Sequence, residues 1–417
     1  MSQYDIAIVG GGPAGLFCAI QAGAAGLSVL LLEKKRSPGQ KLLLSGSGRC
    51  NLTHAGDIRG FLSHYGRNGK FLKPALFTFS NDDLVSFFRS RGLETIVREN
   101  GKIFPASLSS ADVLALLVSS CREHGADLRC GEPVRSVSRD TRGFSITTEE
   151  GVYRAAALVI ATGGMSYPST GSTGDGYRLA DSLGQPVTPV APALTPVIIR
   201  DYPFSDLAGI SSEAAPFSLW RGGRKIGDYA GDILLTHTGL SGPGVLDASR
   251  DFLPGDDLRI SLLGKDTRHR REELDRSLRG AEGTRLVRSV LAGYPVPGRL
   301  ARRIFELEGI PADLRCARLT ASLRNRIVTL FTAYPLSIAS LGDFTVAMVT
   351  RGGVALEGVN PKTLESRIIS GLSFCGEVLD IDGDSGGYNL QAAFSTGFLA
   401  ARRITEKFRK RQGTLIT

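Results

Sequence analysis

Apolar and polar positions follow three rhythms along this chain. Ile6 to Val9 and Val29 to Leu32 are uninterrupted apolar runs of strand length. Such runs mark strands buried on both faces of a parallel sheet. Ala156 to Ala161 repeats the pattern. Helical spacing appears in Asp82 to Phe88 and Ser110 to Val118, with Asp82 and Ser110 as candidate caps. A short strand pair around Glu94 to Phe104 interrupts that helical region. Period-two alternation in 126–130, 133–137, 144–148 and 152–155 predicts an antiparallel ribbon. Residues 194–263 also alternate as β structure, residues 265–326 are helical, and a helix is expected from Asn389 to Phe408.

Prolines at 186, 189, 192, 196 and 203 mark a boundary where composition changes. The resulting division is 1–190, 191–264 (β-rich insert), 265–343 (helical, Arg-rich insert) and 344–417, where the strand and glycine pattern returns. The fold class is α/β.

Gly10, Gly12 and Gly15 stand between the first strand and a small-residue helical run at G-x-G-x-x-G spacing. Gly10 allows the turn, Gly12 leaves room for a pyrophosphate, and Gly15 lets the helix lie close to the sheet. The helix start, Pro13 and Ala14, offers phosphate the free N–H groups that follow the proline. Glu33 ends the second strand, 18 residues after Gly15, where an acidic side chain binds ribose hydroxyls. The glycine motif alone suits either FAD or NAD.

Lys34 and Lys41 lie in a segment running to Thr53 in which Gly39, Gly46 and Gly48 exclude a regular helix. That segment is expected to be a loop lying along a cofactor, with Arg49, Asn51 and Thr53 as donors. Cys50 is either a proton donor or a buried thiol. Val134 is placed to pack against an adenine. Ala161, Thr162, Gly163 and Gly164 lead into a second glycine-rich loop, which can bind an anion, admit a flat ring, or be an ordinary loop. Gly376, Glu377 and Asp380 follow a late strand. Asp380 is expected to accept from ribityl hydroxyls. Gly387, Tyr388, Asn389, Leu390 and Gln391 open a helix whose positive end suits negative charge on a reduced flavin. His237 is either a proton-transfer group or structural.

The chain has 417 residues, 42% hydrophobic and 22% charged, an ordinary globular balance. No apolar run is long enough to span a membrane, and no secretory signal precedes the first strand, so a cytoplasmic protein is expected. The six cysteines form no C-x-x-C pair, so free thiols and no metal site are expected. Net charge is +9, which suits an anionic partner or solubility alone. Residues 265–326 hold fifteen basic against eight acidic residues, a net charge of +7. That excess marks either a partner surface, with Arg268, Arg270, Arg271, Arg302 and Arg303 as candidates, or a merely soluble helical cap.

The glycine motif, Ala161-Thr-Gly-Gly and Gly376-Glu-x-x-Asp resemble the two-dinucleotide-binding-domain flavoproteins of the glutathione reductase type. More narrowly, the stretch from Lys41 to Thr53, Thr170 to Gly176, Thr236 to Pro243 and Gly386 to Gln391 resemble the HI0933-like (YhiN/BaiN-type) flavoprotein family over the whole length. The resemblance implies a Rossmann-like FAD-binding domain assembled from both chain ends, with a β-rich and a helical insert, and non-covalent FAD rather than NAD. Its members are linked to amine or amino acid oxidation, to bile acid reduction, and to dihydrouridine formation in ribosomal RNA. No second complete strand–G-x-G-x-x-G–helix is present, so NAD(P)H, if used, docks transiently. Three readings stand: a reductase acting on ribosomal RNA, a small-molecule flavin oxidase or reductase, and a non-enzymatic FAD-bearing interaction protein.

Overall fold

A computed structural model describes residues 3–414, with side chains to residue 410. The chain divides into two compact units. The first joins residues 1–191 to 348–417, and the second is residues 192–347.

The first unit is built on a sheet that opens with β1 (Gln3–Val9) and β2 (Val29–Glu33), joined by the helix Pro13–Ala24. Both strands are apolar without alternation because both faces are covered. Ile6, Ala7, Ile8, Leu30 and Leu31 are fully buried. They pair in parallel, Ile6 opposite Val29 and Val9 opposite Leu32. A separate antiparallel sheet contains β3 (Thr53–His54), β4 (Thr95–Val97) and β5 (Lys102–Pro105). The main sheet is completed by β6 (Asp127–Cys130), β7 (Ser136–Asp140), β8 (Gly143–Thr147) and β9 (Val152–Ile160). Its order is β6-β2-β1-β9-β8-β7.

Three local expectations change here. The segment 127–130 is not part of the antiparallel ribbon. It lies parallel to β2, Leu30 opposite Asp127, because the helix Ser110–Glu123 carries the chain back over the sheet. Only β7, β8 and β9 form the ribbon. The helix caps are Ser80 and Ser109, each accepting from a backbone N–H three residues on, rather than Asp82 and Ser110. Finally, Gln40–Leu44 does form a short helix ahead of Gly46 and Gly48, with Leu42 buried.

β10 (Val187–Ala193) leads towards the second unit. There β11 (Val197–Ile199), β12 (Ser211–Arg221), β13 (Arg224–Leu235), β14 (Gly239–Ser241), β15 (Asp257–Ile260) and β16 (Tyr334–Leu341) close into a barrel. Closure leaves no strand edge exposed. Between β15 and β16 lie the helices Thr267–Gly280, Val287–Leu291, Gly298–Leu307 and Ala321–Thr332. Barrel residues such as Phe217 and Ile260 and helix residues such as Ile304 and Phe331 share one apolar core.

The chain re-enters the first unit through β17 (Val349–Val354), which pairs with β10. β18 (Leu372–Phe374) then adds to β9 in parallel, Leu372 opposite Leu158 and Phe374 opposite Ile160. The long helix Tyr388–Thr414 follows and packs Phe394 against Phe17 of the first helix, ring centroids 5.3 Å apart. The first unit is thus a Rossmann-like α/β domain made from both parts of the chain. No helix among the described residues is long and apolar enough to cross a membrane.

Candidate functional site

β1, β2, β9 and β18 all end on the same side of a parallel sheet, where such folds bind nucleotides. At the end of β1 the backbone of Gly10 has φ +109°, and a Cβ there would lie 2.5 Å from the Ala161 carbonyl oxygen. A Cβ on Gly15 would sit 2.0 Å from the Gly10 carbonyl oxygen. Both glycines are therefore required by packing. Gly12 differs, because a Cβ there would meet nothing within 4 Å. It caps the helix that begins at Pro13, so open space lies over a helix N-terminus. A pyrophosphate would fit that space, held by first-turn N–H groups and the helix dipole.

Glu33 anchors the turn. Its Oε2 accepts from Gly11 N at 2.7 Å and its Oε1 from Lys35 N at 2.8 Å. Each oxygen keeps a further lone pair for a ribose hydroxyl. Val134 is buried close by, since Gly131 N donates to Lys35 O and Glu132 N to Glu33 O. An adenine beside Glu33 would meet it.

The second glycine loop is held by a residue that sequence reasoning missed. Thr350 is fully buried, and its hydroxyl oxygen accepts from Met165 N at 2.8 Å and Ser166 N at 3.1 Å. A Cβ on Gly164 would strike that hydroxyl at 2.4 Å. Thr350 N in turn donates to Glu377 Oε1 at 2.9 Å. Glu377 also pairs with Lys41, Nζ to Oε2 at 2.8 Å, with both side chains largely shielded. The segment after β2 is thereby tied to the segment after β18. The Thr350-Arg-Gly-Gly run, a hydroxyl followed by two glycines, was the available signal.

Two buried polar atoms lack a partner here, Asn51 Oδ1 and the Tyr177 hydroxyl. Burial raises the Tyr177 pKa far above its ordinary value, and the nearby carboxylates of Glu377 and Asp380 add to the rise. Unpaired buried groups cost free energy unless something meets them. Together with the open space at Gly12 they fit a bound FAD.

The start of the last helix is fixed by a ring stack. Tyr388 lies between His64, with centroids 3.9 Å apart, and His54, at 5.3 Å, both nearly parallel to it. His64 Nδ1 pairs with Asp384 Oδ2 at 2.9 Å. Neither histidine was singled out in the sequence, because neither belongs to a spaced motif.

Several expected roles change. The Thr53 hydroxyl donates to Gln391 Oε1 at 2.7 Å, and Gln391 Nε2 donates to Phe79 O and Ser395 Oγ. Both side chains are buried and engaged with protein. The Asn389 side chain is occupied with Gly383 and Asp384, so Asn389 and Leu390 could meet a cofactor only through the backbone of the helix start. A Cβ on Gly387 would lie 2.6 Å from the Thr53 carbonyl, which makes that glycine a packing requirement. Lys34 is turned to Asp175 at 2.6 Å. Asp380 Oδ1 accepts from Gly352 N at 3.1 Å, so a ribityl hydroxyl would have to be met by Oδ2. Gly376 N donates to Thr396 Oγ1 at 2.9 Å, closing β18 onto the last helix. Thr162 and Gly163 continue β9 into the loop, Gly163 at φ +70°. Arg49, after Gly48, is exposed over the Phe104 ring.

Of the two candidate acids, Cys50 is completely buried. Burial pushes its thiol up to about 12, partly offset by a hydrogen bond with Ser45. The buried-thiol alternative is the one this geometry fits. His237 is exposed on the turn between β13 and β14, in the second unit. All six cysteines are free, and no metal-binding group of His, Cys, Asp and Glu occurs among the described residues.

Residues 4–403 match the family model of the HI0933-like protein Rossmann domain. The ribosomal RNA dihydrouridine synthase of Escherichia coli (strain K12) is 31% identical over 407 residues, 97% of this chain and 98% of that protein. The 3-dehydro-bile acid delta(4,6)-reductase of Clostridium scindens is 33% identical over 415 residues, 96% of this chain and 99% of that protein. Among solved structures, the 3-ketosteroid delta1-dehydrogenase of Sterolibacterium denitrificans shares the fold, with TM-score 0.55 and 12% identity over 98% of this chain and 100% of that one.

Proposed function

The chain belongs to the HI0933-like family and is an FAD-dependent oxidoreductase, and we propose that it is a cytoplasmic reductase that adds hydrogen across the C5=C6 bond of a uridine in ribosomal RNA. One observation carries this reading: the chain aligns over nearly its whole length with a protein named for making dihydrouridine in that RNA. Dihydrouridine is uridine with two hydrogens added across C5=C6.

FAD, when bound and reduced by a nicotinamide donor, would supply the hydride for this addition, and the accompanying proton would come from water or an acidic group at the substrate. The chain's own residues bind and orient. The helix start above Gly12 would hold the pyrophosphate, and Glu33 the adenosine ribose. Lys41 and Glu377 join the two chain segments that would border the flavin. The start of the helix Tyr388–Thr414 would stabilise negative charge on the flavin's pyrimidine edge.

A second reading has its own support. Reduction of an unsaturated small molecule is favoured by the 33% identity to the bile acid reductase. The two readings separate in one measurement, mass spectrometry of nucleosides from the ribosomal RNA of a deletion strain. Loss of a dihydrouridine, restored by the intact gene, supports the RNA substrate. An unchanged nucleoside profile overturns it and favours the small-molecule reading.

A further inference from the structure

The five arginines picked out by sequence in residues 265–326 are already engaged within the protein. Arg268 pairs with Glu272, Arg270 with Glu273 at 2.9 Å, and Arg302 and Arg303 with Glu306. Helical i, i+3 and i, i+4 spacing supplies those acids. Arg271 donates to Thr332 and Thr329 instead. The first unit holds a basic site of another kind, a cavity of about 440 Å³.

The cavity originates in a gap along β9. β8 pairs with β9 as far as Ala155, and β18 takes over from Leu158. Ala156 and Ala157 fall between them and line the cavity, and their small side chains leave room there. The turn 139–143 between β7 and β8, parts of the segment 363–373 and the last helix from Arg403 to Lys410 supply the walls. Arg403 stands 15 residues beyond Tyr388 on that helix, roughly 22 Å along it at 1.5 Å per residue. The cavity is therefore separate from the candidate flavin site.

Five basic side chains line it, Arg139, Arg142, Arg403, Lys407 and Lys410, against two acidic ones, Glu365 and Glu406. Both acids are already matched. Glu365 Oε1 meets Lys407 Nζ at 2.6 Å and accepts from Gly371 N at 2.7 Å. Glu406 pairs with Arg402 at 3.0 Å and with Arg403 at 2.6 Å. Asp140, beside the turn, pairs with Arg154 at 2.6 Å. The turn side keeps its charge. Arg139 Nε donates to Ser370 O at 2.9 Å and its Nη1 to Asp140 O at 3.0 Å, and the guanidinium lies over the Phe144 ring. Those contacts hold the group in place without neutralising it. The Arg142 side chain is exposed and makes no hydrogen bond or ion pair among the described residues.

We propose that this cavity is a second ligand site, for a small molecule carrying a phosphate monoester or a diphosphate. Its volume lies within the range of small-molecule pockets, about 300–1,000 Å³. A phosphate monoester carries close to two negative charges near neutral pH, which matches two unneutralised guanidinium groups better than a single carboxylate does. Arginine's planar fork also fits phosphate oxygens in pairs. Ile404 and Phe408 on the helix wall offer an apolar surface to the rest of the ligand. An RNA strand suits the cavity less, because each backbone phosphate brings one charge. This site does not depend on what the flavin reduces.

The test is isothermal titration of the FAD-loaded protein with pyrophosphate, ADP and adenosine, beside a single-stranded oligoribonucleotide without a terminal phosphate. Pyrophosphate and ADP are expected to bind, and adenosine, which lacks phosphate, is not. Arg139→Gln/Arg142→Gln is expected to weaken both ligands by about tenfold or more, the scale of a lost hydrogen bond to a charged group, with the flavin spectrum unchanged. Should that variant fail to fold, Arg142→Glu is expected to weaken them by about threefold or more, since its side chain has no protein partner to lose. The control Arg270→Gln/Arg302→Gln keeps the wild-type affinities. Failure of both pyrophosphate and ADP to bind overturns the site, and so does binding that the cavity variants leave unchanged. Binding of the oligoribonucleotide alone, weakened by the same variants, gives the surface to RNA and overturns the small-molecule site.

Discussion

The rings of His64 and Tyr388 stack face to face, 3.9 Å between centroids and 13° from parallel. His64 comes from a segment preceding the helix Gly69–Thr78, and Tyr388 opens the last helix more than 300 residues later. The stack fixes the helix start that is proposed to face the flavin. Replacing His64 by Ala removes one face of the stack and one side-chain partner of Asp384. The expected cost is about 0.5–1.5 kcal/mol, the scale of an aromatic pair. It should appear as a lower denaturation midpoint together with weaker FAD retention. A lower midpoint with unchanged FAD affinity would show that the stack serves stability alone.

The motif glycines separate packing from binding. Gly12→Val adds side chain into open space and loses only a favourable N-cap residue, so the apoprotein should fold with a stability within about 1 kcal/mol of wild type but hold no FAD. Gly15→Ala places a Cβ against the Gly10 carbonyl and should lower stability by about 1–3 kcal/mol. Flavin absorbance and denaturant unfolding measured on both proteins check the contrast.

Lys41 and Glu377 form a shielded pair across two chain segments. Removing one partner leaves a partly buried charge. Lys41→Met and Glu377→Gln should each cost about 1–3 kcal/mol, discounted from a fully buried pair because both retain some exposure. The double variant should cost less than the sum of the two. A double-mutant cycle with strictly additive losses would mean the pair contributes nothing.

Cys50 and Cys121 are buried thiols, both pushed up to about 12 by desolvation. In the unfolded chain they ionise near 9. The folded state therefore holds their protons more tightly, and stability falls as pH rises from about 9 towards 12. Each thiol contributes up to about 1.4 kcal/mol per pH unit in that window. Below pH 9 neither contributes a slope. Urea unfolding of Cys50→Ala/Cys121→Ala should show a shallower decline between pH 9 and 10 than wild type.

Cys50→Ala also bears on chemistry. A completely buried thiol has no path to substrate in this geometry, so the rate of reduction at pH 7 should stay within about threefold of wild type. A rate loss of 100-fold or more, within the range for a lost general acid, would restore Cys50 to the reaction. Single-turnover oxidation of the reduced enzyme by substrate measures this directly.

The nucleotide half of the site was legible because its requirements are local. A turn, a close helix approach and an acidic strand end each impose a residue type at a fixed spacing, and Gly10, Gly15 and Glu33 occupy those spacings. The contacts between distant segments were not legible. Thr350, His64 and Asp384 act through partners far away in sequence, and no periodicity marks such a pairing. Side chains in conspicuous motifs also misled. Asn389 and Gln391 sit in a run that suggests ligand contact, yet their side chains hold the loop and the helix in place. Charge counting located a basic region but could not tell which arginines had acids one turn away, as Arg270 and Arg302 do.

The place of β18 beside β9 has a consequence for synthesis on the ribosome. Leu158 to Ile160 must wait for Leu372 to Phe374, a gap of 214 residues between Ile160 and Phe374. At roughly 5–20 residues per second that edge stays without its native partner for about 10–40 s. The barrel, translated within that interval, can close its own edges meanwhile. The cofactor therefore meets a complete pocket only near the end of translation, and a chain truncated before residue 372 would present an unsatisfied strand edge to its neighbours.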